Sequence, residues 1–317
     1  MLGTADGAEA AGGGASTIVG AGSTARWPPR GSHSGFNVTT TNRPASATVT
    51  ACENTSQILR NMSYGDSTMA ELGEVDSFLQ AMLRPEVFRD YGPNGLQVQG
   101  RRELRRLVSG VTASLAFIEA AIADGADALL VHHGLFWRGQ DGRLNGWLKE
   151  RVKRLLVNDV SLFAYHLPLD AHAEFGNNAQ LGLRLQLAAD ARFGEQDLGF
   201  VGDAGGAASV AVLAARIEMA LGREPLVLEG DGRPLRRVAW CTGGAQGYFE
   251  GAVAAGADAF VTGEISEPQA HLARETGVAF LACGHHATER FGAPAVAAQV
   301  AARFGIEHRF IDIPNPA

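Results

Sequence analysis

Strand-like and helix-like segments alternate along most of this chain, and the alternation is the strongest constraint on its fold. Short apolar runs predict strands at 104–114, 126–131, 160–165 and 236–241. The spacing of apolar residues predicts helices at 115–125, 145–159, 177 to about 189, and 208–222. The helix at 145–159 is assigned from an apolar stripe of Trp147, Val152, Leu155 and Leu156. Repeated alternation of this kind is typical of an α/β fold built in layers.

Two stretches of the chain resemble each other. Residues 119–131 read EAAIADGADALLV and residues 250–262 read EGAVAAGADAFVT, with seven of thirteen positions identical. Each copy predicts the end of a helix, a glycine-containing stop and then a strand. Two explanations stay open. G-A-D-A is a common helix-to-strand connection in alanine-rich proteins, or two domains of similar topology arose from one duplicated unit.

Length and composition are those expected of a cytoplasmic protein with two domains. The 317 residues suffice for two domains, and a hydrophobic content of 46% supports packed cores. The net charge is −7 and no block of basic residues occurs, so nucleic acid is not an expected partner. The three cysteines are widely spaced, which argues against a disulfide framework or a thiolate zinc site. No apolar run reaches the ~18–20 residues of a membrane span.

Residues 1–68 differ in composition from the rest of the chain. They are rich in Gly, Ala, Ser and Thr and have no sustained helical or strand period. Such a segment buries too little apolar surface to offset its ordering entropy, so we expect a disordered, low-complexity extension. The alternative is a start codon assigned too early, with Met62 or Met69 as the true start.

Three short clusters of histidine and carboxylate residues lie where strands are expected to end. They read VHHGLFW at 131–137, YHLPLDAH at 165–172 and GHHATE at 284–289, and they hold six of the nine histidines. Neutral imidazole and carboxylate groups are ligands for zinc, iron, manganese and similar ions. Because α/β folds bind ligands at the carboxyl ends of their strands, we expect the clusters to converge on one cleft. The number of ligands suffices for two ions, which indicates a metal-dependent enzyme.

The first two clusters each leave an alternative open. His132 and His133 are neighbours, so their side chains point to opposite faces of a strand unless the backbone turns at the following glycine. Either both bind metal, or one is functional and the other packs in the core. In the second cluster, Pro168 is expected to hold the backbone extended between His166 and Asp170. Asp170 is either a metal-site residue or a capping or loop residue.

The third cluster predicts a helix that begins close to His285. His285 and Glu289 are four residues apart, so both would lie on one face of that helix, at the spacing of a His/Glu metal pair. The alternative is a pair on an exposed helix surface. The stretch TGGAQG at 242–247 lies between a strand and a helix, where backbone N–H groups can hold phosphate. An ordinary tight turn is the better explanation of that stretch.

The motifs, in this order, resemble the NGG-interacting-factor family of dinuclear-metal proteins, which includes type 2 GTP cyclohydrolase I homologues. The resemblance is carried by DYGPNGLQVQG at 90–100, VHHGLFW, YHLPLDAHAEFGNNAQLG at 165–182 and TGE…GHHATERFG at 262–292. It runs from about Met69 to the C-terminus. The chain resembles the short bacterial form, which has no extra domain inserted between Glu195 and Cys283.

The resemblance implies two α/β domains of similar topology, a dinuclear metal cleft and a toroidal homohexamer. We place the first domain at 69–192, with 284–317 returning to it, and the second at 193–283. By motif, the resemblance assigns the metal ligands as His132, His133, Asp170, His285 and Glu289. His166 and His286 would lie near the site as candidate catalytic residues. Two divalent ions per chain are expected, drawn from Zn, Fe, Mn, Ni, Co or Mg.

The implied function is hydrolysis of a nucleotide-like substrate, with GTP as the first candidate. Two ions in such a site lower the pKa of water and stabilise the attacking and leaving oxygens. In a cyclohydrolase reaction, water attacks the purine C8, the imidazole ring opens and formate leaves, with His286 or His166 moving protons. The same site could cleave a phosphoester. The alternative function is a ring-shaped metal-binding scaffold that binds a protein or nucleic acid without turnover.

Overall fold

The computed structural model describes residues 69–317, and the extension predicted for residues 1–68 lies outside the described residues. Residues 69–317 form a six-stranded sheet, a five-stranded sheet, a two-stranded ribbon and the helices that connect them. None of these helices combines the length and the apolar character that crossing a lipid bilayer requires.

The strands and helices alternate as the sequence predicts. In chain order the strands are β1 (Ala70–Glu71), β2 (Gly95–Val98), β3 (Glu103–Leu104), β4 (Arg106–Thr112), β5 (Ala128–His133), β6 (Ser161–Ala164), β7 (Ala188–Phe193), β8 (Gly199–Asp203), β9 (Leu226–Leu228), β10 (Arg237–Trp240), β11 (Ala259–Thr262), β12 (Ala279–Ala282) and β13 (Glu307–Phe310). The α-helices are α1 (Leu72–Leu83), α2 (Leu115–Ala123), α3 (Gly146–Val157), α4 (Leu167–Ala171), α5 (Asn177–Arg184), α6 (Val210–Leu221), α7 (Phe249–Ala254), α8 (Glu267–Thr276), α9 (His285–Glu289) and α10 (Gly292–Phe304). Short 3-10 turns lie at Pro85–Val87, Glu195–Asp197 and Gln246–Tyr248.

Both large sheets contain a parallel core of three strands joined by helices. The first sheet has the order β13-β4-β5-β6-β2, and only β2 runs antiparallel to its neighbour. The second has the order β7-β8-β10-β11-β12-β9, with β10, β11 and β12 parallel and their neighbours β8 and β9 antiparallel to them. The parallel cores are therefore β4-α2-β5-α3-β6 and β10-α7-β11-α8-β12. The predicted α/β class is confirmed.

The two copies of the internal repeat occupy equivalent places in the two sheets. The first copy spans α2 and β5 and the second spans α7 and β11, with Gly125 and Gly256 after the helices at a φ of 78°. In each copy an aspartate follows, Asp127 or Asp258, and one of its carboxylate oxygens accepts two consecutive backbone N–H groups at the start of the preceding strand, over 2.7–3.1 Å. The two copies therefore make the same local connection, which agrees with both explanations of the repeat.

Local signals set the ends of several helices. The side chains of Ser114 and Ser209 accept backbone N–H bonds from three residues further on, and so cap α2 and α6. α8 begins with reciprocal capping between Ser266 and Gln269. It ends at Gly277, whose φ of 72° is a conformation that L side chains rarely adopt. These bonds satisfy backbone groups that a helix end otherwise leaves without partners.

The apolar stripe predicted for α3 is wrong in part. The helix buries Leu148, Val152 and Leu155, whereas Trp147 and Leu156 are 59% and 57% exposed. Apolar residues lie on both sides of this helix, and spacing alone does not say which side faces the sheet. The solvent-facing side of α3 therefore carries two large apolar side chains that the sequence pattern assigned to the core.

Two further expectations about local structure are wrong. The helix predicted for 177 to about 189 ends at Arg184, and Ala188–Phe193 form β7. Pairing with β8 satisfies the backbone there, so tertiary contacts override the helical propensity of the alanines. Pro168 lies in the first turn of α4 and not in extended backbone. The first turn tolerates proline because the N–H groups there have no partner within the helix.

α10 packs on the first sheet although it follows the second sheet in the chain. Val296, Ala297 and Val300 are fully buried in one cluster with Leu107 and Leu130. Burying a valine stabilises a fold by roughly 1.5–3 kcal/mol, so this contact holds the helix firmly. β13 then pairs with β4 at the sheet edge. α9 thus connects a strand of the second sheet to a helix on the first, while the exact domain boundaries stay a prediction.

Candidate metal centre

The carboxyl ends of strands from both sheets carry the five predicted metal ligands. His132 and His133 are the last residues of β5, and Asp170 lies in α4, which follows β6. His285 and Glu289 are the first and last residues of α9, which follows β12. The structure brings these five side chains together, and we call them the candidate metal centre.

Glu289 lies in the middle of the candidate metal centre. Its Oε1 is 3.3 Å from His132 Nε2, and its Oε2 is 3.2 Å from His133 Nε2 and 3.1 Å from His285 Nε2. Asp170 Oδ1 is 3.5 Å from His132 Nε2. His132, Asp170 and Glu289 are buried, and His133 and His285 are partly exposed. One buried carboxylate therefore faces three imidazoles.

The ligand atoms fall into sets that could each hold an ion. One set is His132, Asp170 and Glu289, and a second is His133, His285 and Glu289. Within each set the ligand atoms lie within 4.8 Å of one another. The two sets share only Glu289. A third set at the same spacing joins His166 to the two histidines of β5.

Each imidazole of the candidate metal centre is held through its Nδ1 atom. The contacts are His132 Nδ1 to the Tyr165 carbonyl oxygen at 3.0 Å, His133 Nδ1 to Thr112 Oγ1 at 3.1 Å, and His285 Nδ1 to Glu264 Oε1 at 2.6 Å. A partner on Nδ1 fixes the orientation of the ring and leaves Nε2 free for a metal. All three Nε2 atoms accordingly face Glu289.

Asp170 is held in place by side chains from two other elements. Its Oδ1 accepts hydrogen bonds from Asn177 Nδ2 at 2.9 Å and from Thr242 Oγ1 at 3.2 Å. Asn177 begins α5, and Thr242 follows β10. Desolvation by burial raises the pKa of Asp170. The carboxylate is therefore oriented by α5 and by the segment after β10, and a nearby cation would favour its ionised form.

The environment of the candidate metal centre fits a cation. His132 Nε2 and Glu289 Oε2 are buried and have no hydrogen-bond partner within residues 69–317. Buried polar atoms without partners are costly, and a divalent ion would satisfy both. Imidazole nitrogen with carboxylate oxygen is a donor set that zinc, iron and manganese accept. The residues present therefore fit a metal site.

Without a bound ion, protonated histidines would supply positive charge to the candidate metal centre. Burial lowers the pKa of His132, but the carboxylates of Asp170 and Glu289 outweigh it and raise the pKa to about 9. Contact with Glu289 raises the pKa of His285 to about 9. Burial lowers the pKa of His133 to about 3. Against its own burial, Glu289 has a pKa well below its usual range because His132 and His133 are adjacent. The centre thus favours positive charge at neutral pH.

The first two backbone N–H groups of the TGGAQG stretch hold side chains around the candidate metal centre. The N–H groups of Thr242 and Gly243 donate to Asn178 Oδ1 and Thr288 Oγ1, at 2.8 and 3.0 Å. Gly243 has a φ of 71°, and a Cβ there would overlap Glu289 Oε1. Glycine at this position is therefore required by the close approach of backbone and ligand.

His166 adjoins the candidate metal centre and is oriented by Asp90, which the sequence analysis did not single out. Asp90 Oδ1 lies 2.7 Å from His166 Nδ1. The same carboxylate accepts the N–H groups of Tyr91 and Leu167 and the side-chain amide of Asn94. Although burial opposes it, the bond with His166 lowers the pKa of Asp90 to about 2. Asp90 opens the DYGPNG motif, but no local pattern indicates a partner 76 residues away.

His286 points away from the candidate metal centre. Its Nε2 lies 2.7 Å from Asp312 Oδ1, and its backbone N–H donates to the Ala317 oxygen over 3.2 Å. None of the ligand sets found within residues 69–317 contains it. The C-terminal segment therefore holds this histidine, while the neighbouring His285 faces Glu289.

Known proteins of similar sequence span almost the whole described chain. The Duf34/NIF3 (NGG1p interacting factor 3) family matches residues 70–316. A Pseudomonas aeruginosa protein named GTP cyclohydrolase 1 type 2 homolog is 49% identical over 259 residues, which cover 81% of this chain and 100% of that protein. A protein of the same name from Neisseria meningitidis serogroup B is 52% identical over 235 residues, covering 74% of this chain and 94% of the relative.

Solved structures share the fold. A protein called ybgI, described as of unknown function, is 43% identical with a TM-score of 0.75, and the match covers 78% of this chain and 100% of that chain. A Thermus thermophilus protein is 35% identical with a TM-score of 0.73, covering 78% and 100% of the two chains. The chain therefore belongs to the Duf34/NIF3 family, as its motifs predict.

Proposed function

We propose that this member of the Duf34/NIF3 family is a metal-dependent hydrolase that acts on a nucleotide-like substrate. The observation that carries the proposal is the buried carboxylate of Glu289, whose two oxygens lie 3.1–3.3 Å from three imidazole Nε2 atoms. GTP is the first candidate substrate, because close relatives carry the name GTP cyclohydrolase 1 type 2 homolog. Fold alone does not assign a reaction, so the substrate is part of the proposal.

Two divalent ions per chain fit the ligand sets best. His132, Asp170 and Glu289 would hold one ion, and His133, His285 and Glu289 would hold the other. Three protein ligands per ion leave coordination positions for water and substrate, as in catalytic sites. When bound, the ions supply Lewis acidity and lower the pKa of water. Glu289, which both sets share, would offset the repulsion between two positive charges.

His166 is the residue that we assign to proton transfer. Asp90 holds Nδ1, which leaves the other ring nitrogen to take a proton from the attacking water and return it to the leaving nitrogen. In the cyclohydrolase reaction, one water adds to the purine C8 and one C8–N bond breaks, which opens the ring and leaves a formamide. A second water adds to the formyl carbon, the other C8–N bond breaks and formate is released. His286, the other candidate, is engaged by Asp312. The geometry therefore favours His166 for this role.

We also propose that the chain assembles as a toroidal homohexamer, with the candidate metal centres facing an internal cavity. The motifs that resemble the family motivate this proposal, and no part of the composition does. Light scattering on purified protein tests it. A mass near six chains is expected, and a monomer at micromolar concentration would reject the assembly.

A screen of nucleotides with identification of the products tests the hydrolase. The protein is stripped with chelator and reloaded with single metals, and each preparation is assayed with GTP, other nucleotides and simple phosphoesters. We expect turnover that chelator abolishes and metal restores, with formate released from GTP. Phosphate release without formate would assign phosphoesterase chemistry. The hydrolase would be rejected in favour of the scaffold if no metal and substrate gave turnover and the protein bound a macromolecule tightly.

A further inference from the structure

A cavity of about 310 Å³ opens beside the candidate metal centre. Its inner end is formed by Asp170, His285 and Glu289, and Tyr91 and Tyr248 contribute aromatic rings to its wall. A volume of this size lies at the lower end of the range for small-molecule sites. A substrate in this cavity would reach the metal ligands directly, and the chemistry of the walls limits what that substrate is.

Among the described residues, the cavity wall is lined by carboxylates and by the imidazoles of His166 and His285. No lysine or arginine occurs among the described residues that line it. Three acidic residues do line it, namely Glu195, Asp170 and Glu289. The Arg192 guanidinium donates to the Ala171 carbonyl oxygen near the cavity. It stacks on the ring of Phe200, with Cζ 3.4 Å from the ring centroid, and so is already engaged. Proteins recognise phosphate groups with Arg, Lys or clustered backbone N–H groups. Outside the imidazoles and the turn at 242–247, the described wall therefore offers a polyphosphate chain no cationic side chain.

Aromatic surface is available instead. The Tyr91 side chain is 58% exposed, and its ring centroid lies 6.0 Å from that of His166. Tyr248 packs edge-on against Phe193 and its hydroxyl donates to the Glu195 carbonyl oxygen over 3.3 Å. Tyrosine rings stack on flat heterocycles without requiring charge on the ligand. The cavity therefore offers two rings and a carboxylate that accepts N–H groups.

Gln196 links the two chain segments that bring Tyr91 and Glu195 to the cavity wall. Its Oε1 accepts the Arg89 N–H over 2.7 Å, and its Nε2 donates to the Arg89 carbonyl oxygen over 3.2 Å. Gln196 and Asp197 both have positive φ, at 54° and 57°. Such backbone is strained for residues other than glycine and persists where surrounding contacts enforce it, often at ligand sites. The segment before Tyr91 and the turn at 195–197 thus form one preorganised wall.

We propose that this cavity binds the uncharged heterocyclic part of the substrate, so that a nucleoside is recognised about as well as its triphosphate. The inference deepens the proposed hydrolase and rests on it for the nucleotide-like substrate. The base stacks against the tyrosine rings, and its N–H groups face the carboxylate of Glu195. The ring carbon under attack then lies toward Glu289, and the ribose and any phosphates extend out of the cavity.

Calorimetric titration of the metal-loaded protein with guanosine, GTP and inorganic tripolyphosphate tests the inference without requiring turnover. We expect guanosine and GTP to bind with dissociation constants within ten-fold of each other, and tripolyphosphate to displace guanosine poorly. A preference of ten-fold or more for GTP, or no binding of guanosine, overturns the inference. Neither result decides whether the protein is a hydrolase, because the turnover screen tests that separately.

Variants place the bound base in the cavity. Tyr91→Ala should raise the guanosine dissociation constant ten-fold or more, whereas Tyr91→Phe keeps the ring and should stay within three-fold of the unaltered protein. Gln196→Ala should weaken guanosine by loosening the wall, with metal content unchanged. Trp147→Ala, an exposed ring on α3 outside the cavity, is the control and should change nothing. Guanosine binding that is unaffected by Tyr91→Ala would overturn the assignment of the cavity.

Discussion

Replacing Glu289 with glutamine tests the centre of the structural argument. The substitution preserves the size of a side chain that is 3% exposed and removes only its charge. The pKa of His132 is about 9 in the metal-free protein, against an ordinary value of 6.5. This difference corresponds to roughly 3 kcal/mol in favour of a positive charge on that ring. The preference survives the opposing effect of burial, because Asp170, Glu289 and the hydrogen bond to the Tyr165 backbone together outweigh it.

The same carboxylate would act on a metal ion. Asp170 and Glu289 are the carboxylates beside His132, and both raise its pKa. Changing a residue that only supports a metal ligand costs about 10–100-fold in metal affinity, so Glu289→Gln, which changes a ligand itself, should cost at least that. Because Glu289 belongs to both ligand sets, both ions should be affected. Activity should fall with metal occupancy.

Equilibrium dialysis against Mn²⁺ and Zn²⁺, followed by elemental analysis, measures the effect. The unaltered protein should hold two ions per chain, and a content near zero after metal-replete preparation would reject the site. Glu218→Gln on the exposed surface of α6 makes the same chemical change outside the centre, and Lys149→Gln alters an exposed charge on α3. Both controls should bind metal normally. If the Glu289→Gln protein melts cooperatively and still binds two ions per chain with unchanged affinity, the bridging role of Glu289 is refuted.

Other predictions follow from the same geometry. Gly243→Ala should lower both metal affinity and melting temperature, because its Cβ would overlap the bridging carboxylate; Gly247→Ala, whose Cβ meets nothing within 4 Å, should alter neither. Asp90→Asn should lower kcat about 10²-fold with metal content unchanged, since the His166 ring loses the carboxylate partner that orients it at Nδ1. Metal binding at pH 7 should release up to two protons per chain, because the pKa of both His132 and His285 is about 9 and a metal displaces those protons. Metal affinity should therefore rise with pH and level off above about 9. Calorimetry in buffers of different ionisation enthalpy measures the number of protons released. A release near zero would contradict the protonation of His132 and His285 at pH 7.

Sequence reasoning succeeded where the physical cause is local. The pair His285 and Glu289 was predicted from a spacing of four residues, and helix geometry alone places such residues on one face. The strand that ends in His132 and His133 was predicted from a buried apolar run. Gly125 and Gly256 were predicted to stop helices, and a φ of 78° at both agrees. Each of these features depends on neighbours within a few positions in the chain.

Sequence reasoning failed where a choice between surfaces or partners is made at a distance. α3 has apolar residues on more than one side, and the packing against the sheet buries Leu155 while Trp147 stays exposed. Ala188–Phe193 has helical composition, but an antiparallel neighbour makes it a strand. In both cases the free energy that decides the outcome comes from contacts that the local pattern does not contain.

The sequence by itself determined the α/β class, the family and the identity of the five residues of the candidate metal centre, because each rests on local periodicity or on a short motif. Only the tertiary structure decided their arrangement. It placed Glu289 among three imidazoles, paired Asp90 with His166 across 76 residues and turned His286 toward Asp312. These contacts join strand ends of two separate sheets. Their distances depend on how the sheets, α9 and α10 pack, and burial of apolar surface drives that packing without leaving a local signal in the chain.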